Sequence, residues 1–98
     1  MTHALPLNLL HLAKADPGVP KSVLSGDLWV QALTKPLTLR PAALWLVVLE
    51  GELIADLPHG DFRLLKVGDS LRLETEQSVL TPLRPSVFLF AETSTVRG

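Results

Sequence analysis

Apolar positions run along this chain in short bursts, and turn-forming residues interrupt them about every 8–12 positions. Before Pro17, Leu9, Leu10, Leu12 and Ala13 stand at helical spacing behind Asn8, a residue type that caps helices. The spacing predicts a short helix over 8–15, with an irregular arm as the alternative, because so few residues make a marginal helix. Asp16-Pro17-Gly18 ends it, since proline cannot continue a helix and glycine adopts turn geometry freely. The chain divides here into an arm, residues 1–20, and a β domain, residues 21–98.

From Lys21 onward the pattern is strand after short strand. Val23-Leu24, Leu28–Leu33, Leu37–Arg40, Leu44–Leu49, Leu53–Leu57, Phe62–Val67, Ser70–Glu74, Val79–Thr81 and Val87–Glu92 read as strands. Leu44–Leu49 is continuously apolar, as in a strand buried on both faces. Pro58-His59-Gly60-Asp61 reads as the turn of a hairpin, with Gly60 supplying a positive φ. Leu71 and Leu73 share one face. Phe88 and Phe90 share another, opposite Val87, Leu89 and Ala91, so the last strand needs cover on both sides. No interval is long enough for a helical crossover, so the expected class is all-β, a sandwich or barrel.

Composition narrows the chemistry. The chain has 98 residues, 47% of them hydrophobic and 19% charged, which fits one folded domain and not a disordered chain. Nine Lys and Arg against ten Asp and Glu leave a formal net charge of −1, so no basic field exists to hold nucleic acid. Cysteine and tyrosine are absent, which removes disulfides, thiolate metal sites and thiol nucleophiles. The longest apolar run, Ala42–Leu49, is far below the ~20 residues of a membrane helix. Leu5–Ala13 lacks the basic flank of a signal peptide, so a soluble cytoplasmic protein is expected. A single Asn, two Gln and one Met suggest a thermophilic or GC-rich source.

Trp45-Leu46-Val47-Val48-Leu49-Glu50-Gly51-Glu52-Leu53, then Gly60, then Leu65-Lys66-Val67-Gly68-Asp69-Ser70-Leu71 resemble the central part of a cupin. The resemblance covers about half the chain. It implies a cupin-like jelly-roll β-barrel, carrying the short N-terminal helical or irregular arm, and a barrel mouth that in the family holds a divalent metal. The family's first motif reads G-x5-H-x-H-x3,4-E-x6-G. Anchored on Gly51, its glutamate falls on Leu44 and its histidines on Leu37 and Leu39, or on Thr38 and Arg40. The second motif, G-x5-P-x-G-x2-H-x3-N, anchored on Gly68, puts proline on Glu74, glycine on Glu76, histidine on Val79 and asparagine on Leu83. No expected ligand slot carries a metal ligand. Leucine and valine cannot coordinate a cation and Arg40 repels one, so neither a metal nor any other cofactor is expected.

Other chemistry is thin. His3 and His11 fall in the arm and His59 in the hairpin turn, none on an inward strand position. Metal-free cupin isomerases need a positioned base and often a tyrosine acid. The candidate acids here, Glu50, Asp56, Glu74 and Glu76, read more simply as turn and surface residues. Asp61 and Asp69 also read as turn formers. In the Thr38/Arg40 register, Arg40 enters the cup beside a hydroxyl and can clamp a carboxylate or phosphate. In the Leu37/Leu39 register it faces outward and the cup is greasy. Trp29 and Trp45 are core or interface residues, or the aromatic wall of a pocket. The candidate ligand-binding residues are therefore Arg40, Thr38, Trp45 and Val79.

Three functions remain. The first is a metal-independent domain that binds or senses a small organic acid or sugar. The second is a structural or regulatory homo-oligomer with a packed cup, a homodimer being the expected assembly. The third is a cupin-type enzyme, isomerase-like or with a cryptic metal. Binding or sensing ranks slightly above the structural role and catalysis ranks last, without nucleic-acid or membrane partners.

Overall fold

The computed structural model describes residues 6–23, 27–40, 43–74 and 77–92, apart from the His59 side chain. A short helix, α1 (Leu9–Lys14), is followed by nine strands. These are β1 (Lys21–Ser22), β2 (Leu28–Leu33), β3 (Leu37–Leu39), β4 (Leu44–Glu50), β5 (Glu52–Asp56), β6 (Phe62–Lys66), β7 (Ser70–Leu73), β8 (Ser78–Pro82) and β9 (Ser86–Glu92). They form two antiparallel sheets, a five-stranded one ordered β1-β2-β9-β4-β7 and a four-stranded one ordered β3-β8-β5-β6. From β2 to β5 and again from β6 to β9, each strand lies in the opposite sheet from the one before it.

Between the sheets, Leu46, Val48 and Phe88 of the first meet Leu53, Ala55 and Leu80 of the second in one buried cluster. Strand parity assembles it: Leu44 stands opposite Leu73 and Leu46 opposite Leu71, while Leu53 stands opposite both Leu65 and Pro82. Leu71 and Leu73 do share the inward face, as the alternation of β7 predicts.

The outer face of the first sheet carries a second cluster. Ala13 of α1 packs with Val30, Ala32 and Val87, and Leu9, Leu10 and Leu12 close over them with Leu89. The Asn8 side chain caps the helix, its Oδ1 accepting the His11 N–H at 3.0 Å. Six residues cannot hold a helix alone, so this packing does. Cover on both sides explains why β2 and β9 show no clean alternation. A register shift between Val48 and Glu50 lies at the end of the pairing of β4 with β9, beside Leu49, which keeps the outward parity of β4 and joins the outer cluster.

Two sequence expectations move slightly. The first strand is Lys21–Ser22 rather than Val23-Leu24, of which Leu24 lies outside the described residues. The turn after β5 is a single 3-10 turn, Pro58–Gly60, with Gly60 at φ +81° and the Leu57 N–H donating to the Asp61 carbonyl at 2.8 Å. No helix among the described residues is long and apolar enough to cross a membrane.

Candidate functional site

The cup between the sheets is where the resemblance places a metal, and its lining is built from strand alternation. Pairing of β3 with β8 sets Leu37 opposite Leu80 and Leu39 opposite Ser78. Leu37 and Leu39 pack against the inner cluster, to which Leu44 belongs. The Leu37/Leu39 register is therefore the one that faces inward. Thr38 and Arg40 are exposed, so the anion clamp expected of them inside the cup does not form.

Val79 needs a correction. It stands opposite Thr38 and Asp56 on the outer face, while its neighbours Ser78 and Leu80 are buried. The motif spacing counted from Gly68 misses the inward position by one residue, because it cannot register the turn before β8. Trp45 is also outside: it stands between Arg72 and Ala91 on the outer face of the first sheet. Thr38, Val79 and Arg40 thus belong to one side of the molecule and Trp45 to another, and no common site joins them.

The residues present do not fit a divalent ion. Inward positions at the expected slots offer hydrocarbon or one serine hydroxyl, where a cation needs several converging nitrogens or charged oxygens. Among the described residues, no three His, Asp or Glu side chains group closely enough to hold one. His11 is exposed on α1, and His3 and Glu76 lie outside the described residues. The other candidate acids face outward. Glu50 pairs with Lys14 at 2.7 Å and Glu74 with Arg72 at 3.2 Å, and Glu52, beside the candidates, pairs with Arg84 at 2.9 Å. Asp56 sits exposed at the end of β5. Asp69 is a turn former as expected, its carboxylate accepting the Lys66 N–H at 2.8 Å.

Among the described residues three polar ones are buried, Gln31, Ser78 and Ser86. Ser86 is a strut: its Oγ accepts the Glu52 N–H at 3.1 Å and donates to the Arg84 carbonyl at 2.7 Å. Ser78 is different, since its hydroxyl has no partner among the described residues. An unpartnered buried hydroxyl costs stability. Ser78→Ala is therefore expected to leave the thermal midpoint unchanged or raise it, by a gain of up to about 1 kcal/mol. A loss of that size instead would mean the hydroxyl is hydrogen-bonded.

Gln31 escaped the sequence reading. Its signal was present, as the only polar side chain inside Leu28–Leu33, but a strand covered on both faces hides which face a residue occupies. The structure sets it opposite Phe88, on the cup side, at 4% exposure.

No family model and no curated relative matches the chain. Solved structures do. A cupin-2 domain protein from Shewanella frigidimarina superposes with a TM-score of 0.74 at 12% identity, over 90% of this chain and 94% of that one. The cupin-2 domain of an XRE family transcriptional regulator from Enterobacter cloacae gives 0.61 at 18%, over 70% and 81%. FeII HppE in complex with substrate gives 0.60 at 17%, over 67% of this chain, which spans 44% of that one. The fold is that of the cupin superfamily.

Proposed function

We propose that this cupin-fold chain is a metal-independent, non-catalytic structural module that works as a homo-oligomer, its cup packed as a core. The observation carrying this reading is the inward face itself. The positions that would coordinate a metal are Leu37, Leu39 and Leu44, and they pack with Phe88, Leu46 and Leu80. Packed hydrocarbon leaves no room for a reaction and no group to drive one.

Self-association is supported by the outer face of the four-stranded sheet. Helix α1 packs on β2 and β9, and over the second sheet no described element lies. Phe62 is 60% exposed and Leu64 46%, and Leu64 stands opposite Ile54. Such a face calls for cover. A second copy related by a two-fold axis fits it, because the charges on and beside that face have both signs. Asp56, Lys66 and Arg40 form no ion pair among the described residues, and a two-fold copy can pair them.

Light scattering tests the assembly. The parent chain is expected to be a dimer at micromolar concentration, and Phe62→Glu/Leu64→Glu a folded monomer. A parent monomer, or a double variant that stays dimeric, would overturn this interface. Dialysis against Mn2+, Fe2+ and Zn2+ tests the closed cup. Retention well below one ion per chain is expected, and stoichiometric retention would restore a metal-dependent reading.

A further inference from the structure

Outside the packed cup, the two sheets leave a groove at the rim. The Thr34–Pro36 link carries the chain from β2 in the first sheet to β3 in the second, and the Pro17-Gly18 turn lies across from it. Between them is a space of about 360 Å³. Its floor is Leu33 and Leu37, which also belong to the core, and Pro17 and Pro36 form its sides.

Gln31 opens into this groove, although the residue is only 4% exposed. Its amide is oriented, because Nε2 donates to the Gly18 carbonyl at 3.3 Å and only the NH2 end can face a carbonyl. Gly18 is itself held, its N–H donating to the Ala32 carbonyl at 2.9 Å. That bond turns Oε1 away from Gly18, and Oε1 accepts no hydrogen bond from any described residue. Ser78 Oγ is the one buried side-chain polar atom without a partner among the described residues, so Gln31 Oε1 is an acceptor that water reaches through the groove, held in place where a ligand donor can take the water's position. At the rim stands the Lys35 ammonium, exposed and without an ion pair among the described residues.

We propose that this groove binds a small monocarboxylic acid that also carries a hydroxyl or amino group. Its carboxylate pairs with Lys35, its hydroxyl or amino hydrogen satisfies Gln31 Oε1, and its carbon chain rests on Leu33, Leu37 and the two prolines. The volume lies near the lower end of the roughly 300–1,000 Å³ typical of ligand pockets, which suits a compact acid. A phosphate fits poorly, since one lysine without an arginine fork or a nest of free N–H groups gives it few donors. A neutral sugar would leave Lys35 unused. This site is separate from the homo-oligomer reading: Gln31 lies on the inner side of the first sheet and Lys35 in the link before the edge strand β3, while Phe62 and Leu64 lie on β6, the other edge of the second sheet.

The test is titration of the 15N-labelled full chain with 3-hydroxybutyrate, beside butyrate and 1,3-butanediol. Saturable shifts are expected at the amides of Gly18, Thr34 and Lys35 with 3-hydroxybutyrate. Butyrate lacks the donor and butanediol the charge, and each is expected to bind about tenfold more weakly, about 1.4 kcal/mol. Lys35→Gln, an exposed change that spares the fold, is expected to bring 3-hydroxybutyrate down to the level of butanediol. Gln31→Met is expected to bring it down to that of butyrate. Failure of 3-hydroxybutyrate to shift these amides at millimolar concentration would overturn the proposal. So would butyrate binding equally well, or affinity unchanged in Lys35→Gln. Dimerisation is read separately, so the two proposals fail independently.

Discussion

Gly51→Ala is expected to lower stability by about 3–5 kcal/mol, the upper end of what single substitutions do. Gly51 joins β4 to β5 at φ +84°, where a side chain brings strain. Space is lacking as well. A Cβ at this position would lie 2.6 Å from the Pro85 carbonyl oxygen and 2.8 Å from Ser86 Cα, and would overlap Ser86 Oγ. Two of these atoms are main chain and cannot rotate aside. Relief would require the start of β9 to move, and that breaks the Ser86 hydroxyl bridge to Glu52 and Arg84. The fitting control is Gly68→Ala. Gly68 has φ +91°, yet a Cβ there meets nothing within 4 Å, so backbone strain alone should cost it about 1 kcal/mol. Urea unfolding followed by circular dichroism measures both. Equal losses would mean that the close approach of β9 contributes nothing.

The Glu50-Gly51-Glu52 step was legible because glycine between two strand runs marks a turn, and the structure adds the second reason for it. The strands were legible for a similar reason. Leu71 and Leu73 alternate with the polar Ser70, Arg72 and Glu74, and alternation states which face is inside. Legibility failed where that contrast vanished. Val79 sits between Ser78 and Leu80, and in Ser-Val-Leu-Thr the hydrophobicity does not choose a parity, so pairing with Leu37 and Ala55 decides it. For Thr38 and Arg40 the ambiguity came from the variable gap in the family motif. The residues themselves resolved it, because burying leucines at 37 and 39 is favourable, whereas burying a threonine and an arginine there would strip both of water. Gln31 was hidden by α1. Once a helix buries Val30 and Ala32 from outside, the strand is apolar on both faces, and its polar member no longer reports its own direction.

Phe88→Ala separates a packed cup from an open one. Phe88 is 1% exposed, stands opposite Gln31 and Val48 in neighbouring strands, and lies 5.4 Å from the Phe90 ring, centroid to centroid. In a hydrated pocket, removing a wall residue only enlarges space that water already fills, and the cost is small. In a packed interior it forfeits both the transfer of the ring from water and the contacts around the space left behind, together about 3–5 kcal/mol. For a domain of this size, whose total stability is of the order of 5–15 kcal/mol, that is a large share. It should appear as a fall in thermal midpoint of roughly 15–30 °C. The cavity would be lined by leucine, valine and phenylalanine, so it should stay dry and accept a small apolar guest. Benzene is then expected to restore part of the lost midpoint in the variant and to leave the parent unchanged. A loss below about 1 kcal/mol, with no response to benzene, is what a solvent-filled cup would give. Leucines at the family's ligand slots would then line a site, and the structural reading would give way to a binding one.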